Sequence, residues 1–339
     1  MDTIVVHNKW FKEIDKECNN LYKLVEKDNY FDYFDQCKNY LQMEEIELKK
    51  YYDDDLELPN LQYYFVAYML CNYDSRQVIS VLENANIRPN WSCVLTYFIC
   101  KLYKRLKTNP EFDFEPVINL LLSLDADITI FDNMAIKIAS AINCPKLLQL
   151  LINHGADITV DNNYPICAAA SYHAYDNVVF LESVGADIHV NDDYPFCTLF
   201  RNSNNTMPIN PPAMRDIYDD QYCMDKMIDF FINHGTDPNV HNGYAINRCI
   251  YYSFPNLVPE FDKLIKYGAD VSYINNNMLA RTVRYGDTDI IKQFIEQGVD
   301  FSKLNYFDNK CNNNDTINKT KLLLDTGINA DCLIKILLD

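Results

Sequence analysis

The sequence predicts an all-α solenoid of short helical repeats, on the strength of a recurring tripeptide, its period and the helical pattern around it. Gly155-Ala156-Asp157 returns as Gly185-Ala186-Asp187, Gly235-Thr236-Asp237, Gly268-Ala269-Asp270 and Gly298-Val299-Asp300, with weaker copies at Asp125-Ala126-Asp127 and Gly327-Ile328-Asn329. From Asp127 to Asp300 the steps between aspartates are 30, 30, 50, 33 and 30 residues. A period in this range marks units that bury their apolar faces against neighbouring copies.

Taken in order, residues 1–55 contain no glycine and no copy of the tripeptide, yet Trp10, Ile14, Cys18, Leu21 and Val25 fall on one helical face. They read as a helical hairpin capping the end of the array; a separate recruitment domain is the competing reading. Residues 56–130 hold divergent repeats, with helices expected over 61–72, 75–84, 91–103 and 116–124, and charged residues between the last two. The basic cluster Lys101, Lys104, Arg105 and Lys107 reads as a solvated helix end. Residues 131–303 form the regular array, and 304–339 a degenerate repeat with a C-terminal cap.

In the clearest unit, Tyr164-Pro165-Ile166-Cys167-Ala168-Ala169-Ala170 opens a helix, with proline in the first turn where its missing N–H costs nothing. A second helix around residues 177–181 ends at Gly185, a residue suited to the left-handed C-cap. The 50-residue step is 20 residues longer than the regular one, and the excess falls between two helices, at 201–222. Insertions on one edge of a repeat array mark its contact surface, or are neutral expansions of an exposed turn.

These motifs resemble the ankyrin repeat, which opens T-P-L-H-x-A-A and closes L-L-x-x-G-A-D. Pro165, Ile166, Ala169 and Ala170 fall on its opening, Gly185-Ala186-Asp187 on its close, and Gly286 on the glycine between its helices. The family's Thr and His are replaced by Tyr164 and Cys167, Tyr194 and Cys197, and Tyr244 and Asn247. Aspartate to tyrosine spans 7 positions in each of these units, about three fewer than the family has. The resemblance therefore implies an ankyrin-repeat solenoid with shortened β-fingers, stubs tipped by Asp and Asn as in 161–163 and 275–277, and with an N-terminal helical cap. Trimmed repeats rich in Asn, Ile, Tyr and Asp further resemble the ankyrin proteins of giant viruses of amoebae. That likeness implies action on host proteins in the cytoplasm of an infected cell, or packaging in the virion. Residues 334–337 faintly resemble part of an F-box, with too little chain following to build one.

Composition narrows the functional classes. A formal charge of −18 opposes an electrostatic hold on nucleic acid or anionic lipid and favours a basic or neutral protein partner. Neither a secretory leader nor an apolar run long enough for a bilayer is apparent, so a cytoplasmic location is expected. The 12 cysteines are dispersed without a C-x-x-C pair and read as reduced, mostly buried thiols. No nucleophile elbow, metalloprotease motif, phosphate loop or dinucleotide fingerprint is present, so no catalytic, cofactor or metal residue is assigned. Of the 8 glycines, six stand at repeat closes. His154 and His234 precede two of them, where an imidazole can bond the last carbonyls of a helix.

The expected function is a non-catalytic protein-interaction module that binds a host or viral protein through its concave face and inter-helix loops. Contact is expected through Tyr164, Tyr194 and Tyr244 with Asp161, Asp192 and Asp193, which recur at equivalent positions taken to be exposed. An adaptor for a host ubiquitin ligase is one alternative. An enzyme or ligand-binding protein using the N-terminal segment or the 201–222 insertion is another.

Overall fold

A computed structural model describes residues 61–72, 74–84, 88–200, 221–252, 259–304 and 316–328. The cap expected over 1–55, residues 201–220 of the insertion, and the chain end at 334–337 lie outside the described residues. Within them every regular element is helical and none is a strand. They fall into two compact units, one ending at Val160 and one beginning at Asp161.

The first unit contains α1 (Leu61–Asn72), α2 (Ser75–Asn84), α3 (Trp91–Thr108), α4 (Glu115–Ser123), α5 (Ile130–Ser140) and α6 (Pro145–Asn153). Helices α1, α3 and α5 pack side by side in a row, and α2, α4 and α6 each pack on the helix that precedes them. Asn90 starts α3 by accepting the Ser92 and Cys93 N–H groups at 3.0 and 3.2 Å, a cap worth about 1 kcal/mol. The helix runs five residues beyond the expected end at 103. Its last turn is basic, with Arg105 and Lys107 favourably placed at the negative end of the dipole. That end is only partly solvated, because the Arg105 guanidinium lies 5.0 Å over the Phe112 ring.

In the second unit are α7 (Val160–Ser171), α8 (Tyr175–Ser183), α9 (Val190–Leu199), α10 (Gln221–Asn233), α11 (Val240–Tyr252), α12 (Pro259–Lys266), α13 (Asn276–Tyr285), α14 (Thr288–Glu296) and α15 (Thr316–Leu324), with 3-10 turns at Val271–Tyr273 and Phe301–Lys303. Helices α9, α11 and α13 form one row and α8, α10 and α12 another. Pairing of α9 with α10, α11 with α12 and α13 with α14 joins first helices to second helices. Phe196, Phe231, Phe261, Phe294 and Phe301 are fully buried within this unit. Phe261 and Phe294, from successive second helices, stack at 4.7 Å, a pairing worth about 1 kcal/mol beyond the area it buries. Ala168, Ala169 and Ala170 are buried and, having small side chains, add little width to α7.

Helix ends explain the recurring tripeptide. In the regular closes the glycine has φ between +84° and +99°, the left-handed region that a Cβ disfavours. Gly155 N–H donates to the Ile152 carbonyl at 2.9 Å and Ala156 N–H to the Leu151 carbonyl at 3.0 Å. Both bonds recur at Gly185, Gly235, Gly268 and Gly298, and at Asp125, where an aspartate takes φ +62°. Each satisfies carbonyls that the helix end would otherwise leave unpaired.

Candidate interaction surface

The aspartate of the tripeptide has a role of its own. Asp157 Oδ1 accepts the Thr159 N–H and Oγ1–H at 2.8 and 2.7 Å. The same turn is made by Asp127 with Thr129, Asp187 with His189, Asp237 with Asn239, Asp270 with Ser272 and Asp300 with Ser302. Hydrogen bonds from Thr129, Ser272 and Ser302 hold the carboxyls of Asp127, Asp270 and Asp300 below the usual carboxylate range. A polar residue two positions after each aspartate was visible in the sequence, and it was the overlooked half of the motif.

From this turn the chain enters the next helix through a segment that is not a β-finger. Asp161, Asn162 and Asn163 all adopt left-handed helical angles, as do Asn191, Asp192 and Asp193, and His241, Asn242 and Gly243. The Asp193 N–H donates to the His189 carbonyl at 3.2 Å and the Gly243 N–H to the Asn239 carbonyl at 2.9 Å, closing a left-handed turn. Asp and Asn tolerate this region better than other side chains, which accounts for the composition here. The expected stub finger at 161–163 is thus a left-handed turn. The one expected at 275–277 is the start of a right-handed helix, with Asn275 as N-cap accepting the Met278 N–H at 3.1 Å.

The six residues expected to contact a partner sit at these joints. Asp161 and Asp192 are exposed, whereas Asp193, Tyr164, Tyr194 and Tyr244 are half-buried, so the tyrosines are less available than their recurrence suggested. Burial, with smaller contributions from Tyr172, Cys167, Asp161 and Tyr194, pushes the Tyr164 phenol well above its ordinary value. Asp193 is already engaged: its Oδ1 accepts the Thr236 Oγ1–H at 3.1 Å and lies 2.5 Å from His189 Nδ1.

Within the second unit, successive helix pairs are tied together by amides. Asn162 donates to Asn191 Oδ1 at 3.0 Å, and Asn163 Oδ1 accepts the Asp187 N–H at 3.3 Å. Asn239 donates to the Gly268 carbonyl at 3.1 Å and accepts the Asp270 N–H at 2.7 Å. Asn247 donates to the carbonyls of Gly243 and Tyr273, each at 2.9 Å, and accepts the Asn275 N–H at 3.0 Å. The substitution that weakens the family-like opening therefore provides a cross-link between repeats at this position. His234 Nδ1 lies 2.7 Å from the Phe230 carbonyl, as its place before a C-cap glycine led one to expect. His154 is exposed.

Cysteine chemistry is subdued. Cys71, Cys167, Cys197 and Cys249 are buried, and burial pushes the thiols of Cys71 and Cys100 up to about 12. Such thiols are protonated near neutral pH and poor nucleophiles. Among the described residues no group of three or more His, Cys, Asp or Glu side chains could hold a metal ion. Nor is any described helix long and apolar enough to cross a membrane.

No family model matches the chain. Over 79 residues, 23% of its length, it is 35% identical to a protein of Acanthamoeba polyphaga mimivirus whose name describes it as an ankyrin repeat protein. The match spans 24% of that protein, about a quarter of its length. Over that stretch this helical chain is similar to an ankyrin-repeat protein of a virus.

Proposed function

We propose that the chain is an ankyrin-repeat solenoid acting as a non-catalytic protein-interaction module, with a host or viral protein as its partner. The observation that carries this reading is the threefold recurrence, at Tyr164, Tyr194 and Tyr244, of a half-buried aromatic directly after a three-residue left-handed turn, built of Asp and Asn in the first two and of His241-Asn242-Gly243 in the third. Exposed Asp161 and Asp192, with half-buried Asp193, stand in the turns that precede Tyr164 and Tyr194, so these two joints combine an aromatic with negative charge and suit a basic or neutral protein. The relative's description adds support, since repeat arrays supply extended contact surface.

The test is to identify a partner by affinity purification from expressing or infected cells and repeat the capture with Tyr164→Ala, Tyr194→Ala and Tyr244→Ala combined. Loss of capture from a variant with an unchanged helical melting curve supports the surface. Unchanged capture removes it, and loss on deleting residues 201–220 instead transfers contact to the insertion. Recovery of a ubiquitin-ligase component specifies an adaptor, whereas turnover by the isolated protein overturns the non-catalytic reading.

A further inference from the structure

The charge of the chain is unevenly distributed. Helices α11 and α13 contain no Asp or Glu, although the whole chain carries 48 of them. They pack on one another, and together they hold Arg248, Arg281 and Arg284 with Tyr244, Tyr251 and Tyr285. Spacings of three and four residues put Tyr244, Arg248 and Tyr251 on one face of α11, and Arg281, Arg284 and Tyr285 on one face of α13.

The side chains interleave. Arg248 lies 5.9 Å from the Tyr244 ring and 4.9 Å from that of Tyr251. Arg281 follows at 4.6 Å from Tyr251 and 5.0 Å from Tyr285, and Arg284 closes the series at 4.9 Å from Tyr285. Backbone carbonyls fix two of the cations: Arg248 Nε donates to Phe200 at 3.2 Å and Arg281 Nε to Tyr251 at 3.0 Å. Tyr251 and Tyr285 are each 41% exposed, so the series lies at the surface.

We propose that this arginine–tyrosine ladder is a docking surface for a short acidic segment of a partner protein. Guanidinium groups held over rings have already lost much of the rotamer freedom that binding would cost, and their planar forks match carboxylates. Charge complementarity selects the occupant: three cations on an acid-free pair of helices attract carboxylates locally. A long polyanion such as nucleic acid would meet the acidic remainder of the chain, and the ladder's rings are engaged by cations rather than presented for base stacking. The proposal rests on the interaction-module reading and shares Tyr244 with its surface, but predicts the opposite partner charge at this site.

The test uses the full chain and fluorescence anisotropy with three probes: a short Asp/Glu-rich peptide, a Lys-rich peptide of equal length, and single-stranded oligothymidylate. The acidic peptide is expected to bind best, with affinity falling as salt rises. Arg284→Glu should weaken it at least about tenfold without altering the melting curve, and Arg281→Lys, which keeps charge but loses the flat fork, by a few-fold. Equal binding of the acidic and lysine peptides, unchanged affinity in Arg284→Glu, or preference for the oligonucleotide would each overturn the proposal. If only the Tyr164 and Tyr194 variants matter to a captured partner and no acidic peptide binds, the interaction-module reading stands and this one fails.

Discussion

A Cβ placed on Gly243 would stand 2.5 Å from the Cβ of Tyr273, closer than two such atoms approach in folded proteins. Gly243 occupies the last of the three left-handed positions in the first turn of α11, at φ +67°. Tyr273 cannot easily withdraw: its N–H is bonded to the Asp270 carbonyl at 3.1 Å and its own carbonyl accepts from Asn247 at 2.9 Å. Gly155, by contrast, has φ +91° and nothing within 4 Å of the corresponding position. Gly243→Ala should therefore cost about 2–4 kcal/mol, backbone strain plus overlap, against about 1 kcal/mol for Gly155→Ala. Urea denaturation of the two variants checks the difference, and equal losses would mean that Tyr273 does not crowd the turn.

Left-handed geometry at Asp192 makes a second prediction. This exposed residue has φ 54° and ψ 60°, in the middle of a three-residue left-handed run. A β-branched side chain is strained there, so Asp192→Val should destabilise by about 1–2 kcal/mol, while Asp192→Gly should be close to neutral because relief of strain offsets its greater unfolded-state entropy. Were valine tolerated as well as glycine in thermal melts, a left-handed turn could not be present in solution.

What the sequence showed and what it hid follow from how local each feature is. C-cap glycines were legible because one residue type answers one backbone need, and Gly155 and Gly185 met that need. The Asp/Asn run at 161–163 was legible as a shortened connection but was expected as a stub β-finger, because a run of tolerant residues does not state its handedness. The 275–277 run shows the ambiguity: Asn275 caps a helix, since asparagine serves equally at an N-cap and in a left-handed turn. The ladder was hidden because Arg248 and Arg281 are 33 residues apart, and only packing of α11 on α13 brings both to Tyr251. Half-burial of the three tyrosines escaped notice because recurrence reports equivalence of position and not accessibility.

Glu260 offers a stability test at the start of α12. Its side chain is buried, and burial first, then repulsion from Asp225, pushes its carboxyl above the ordinary value. The sign follows: because the folded state holds this proton more tightly, the burdens of ionisation are absent below the unfolded carboxylate value and grow as pH rises through it. Above the folded value the penalty is constant. Glu260→Gln should accordingly raise the melting temperature at neutral pH and change it little in mild acid. A loss of stability at neutral pH would show that the ionised carboxylate is favoured in place.

Lys263 gives the opposite dependence. Its ammonium lies 2.6 Å from Asp225 and 2.9 Å from Asp229, while the Tyr267 hydroxyl donates to Asp229. Burial alone would lower the lysine value and raise that of Asp229. The contacts outweigh it, so Lys263 is held above its ordinary range and Asp229 below its own. Asp229's contribution is therefore fully present above the unfolded value of about 4 and is lost as pH falls through its depressed folded value. That of Lys263 is fully present below about 10.4 and is lost as pH rises through its elevated folded value. Lys263→Met should cost about 1 kcal/mol between these limits, a modest figure because both acids retain solvent contact, and the deficit should shrink at either extreme. Paired urea melts of the native chain and the Lys263→Met variant across the pH range provide the measurement. A deficit independent of pH would assign the loss to packing of the lysine stem rather than to its charge.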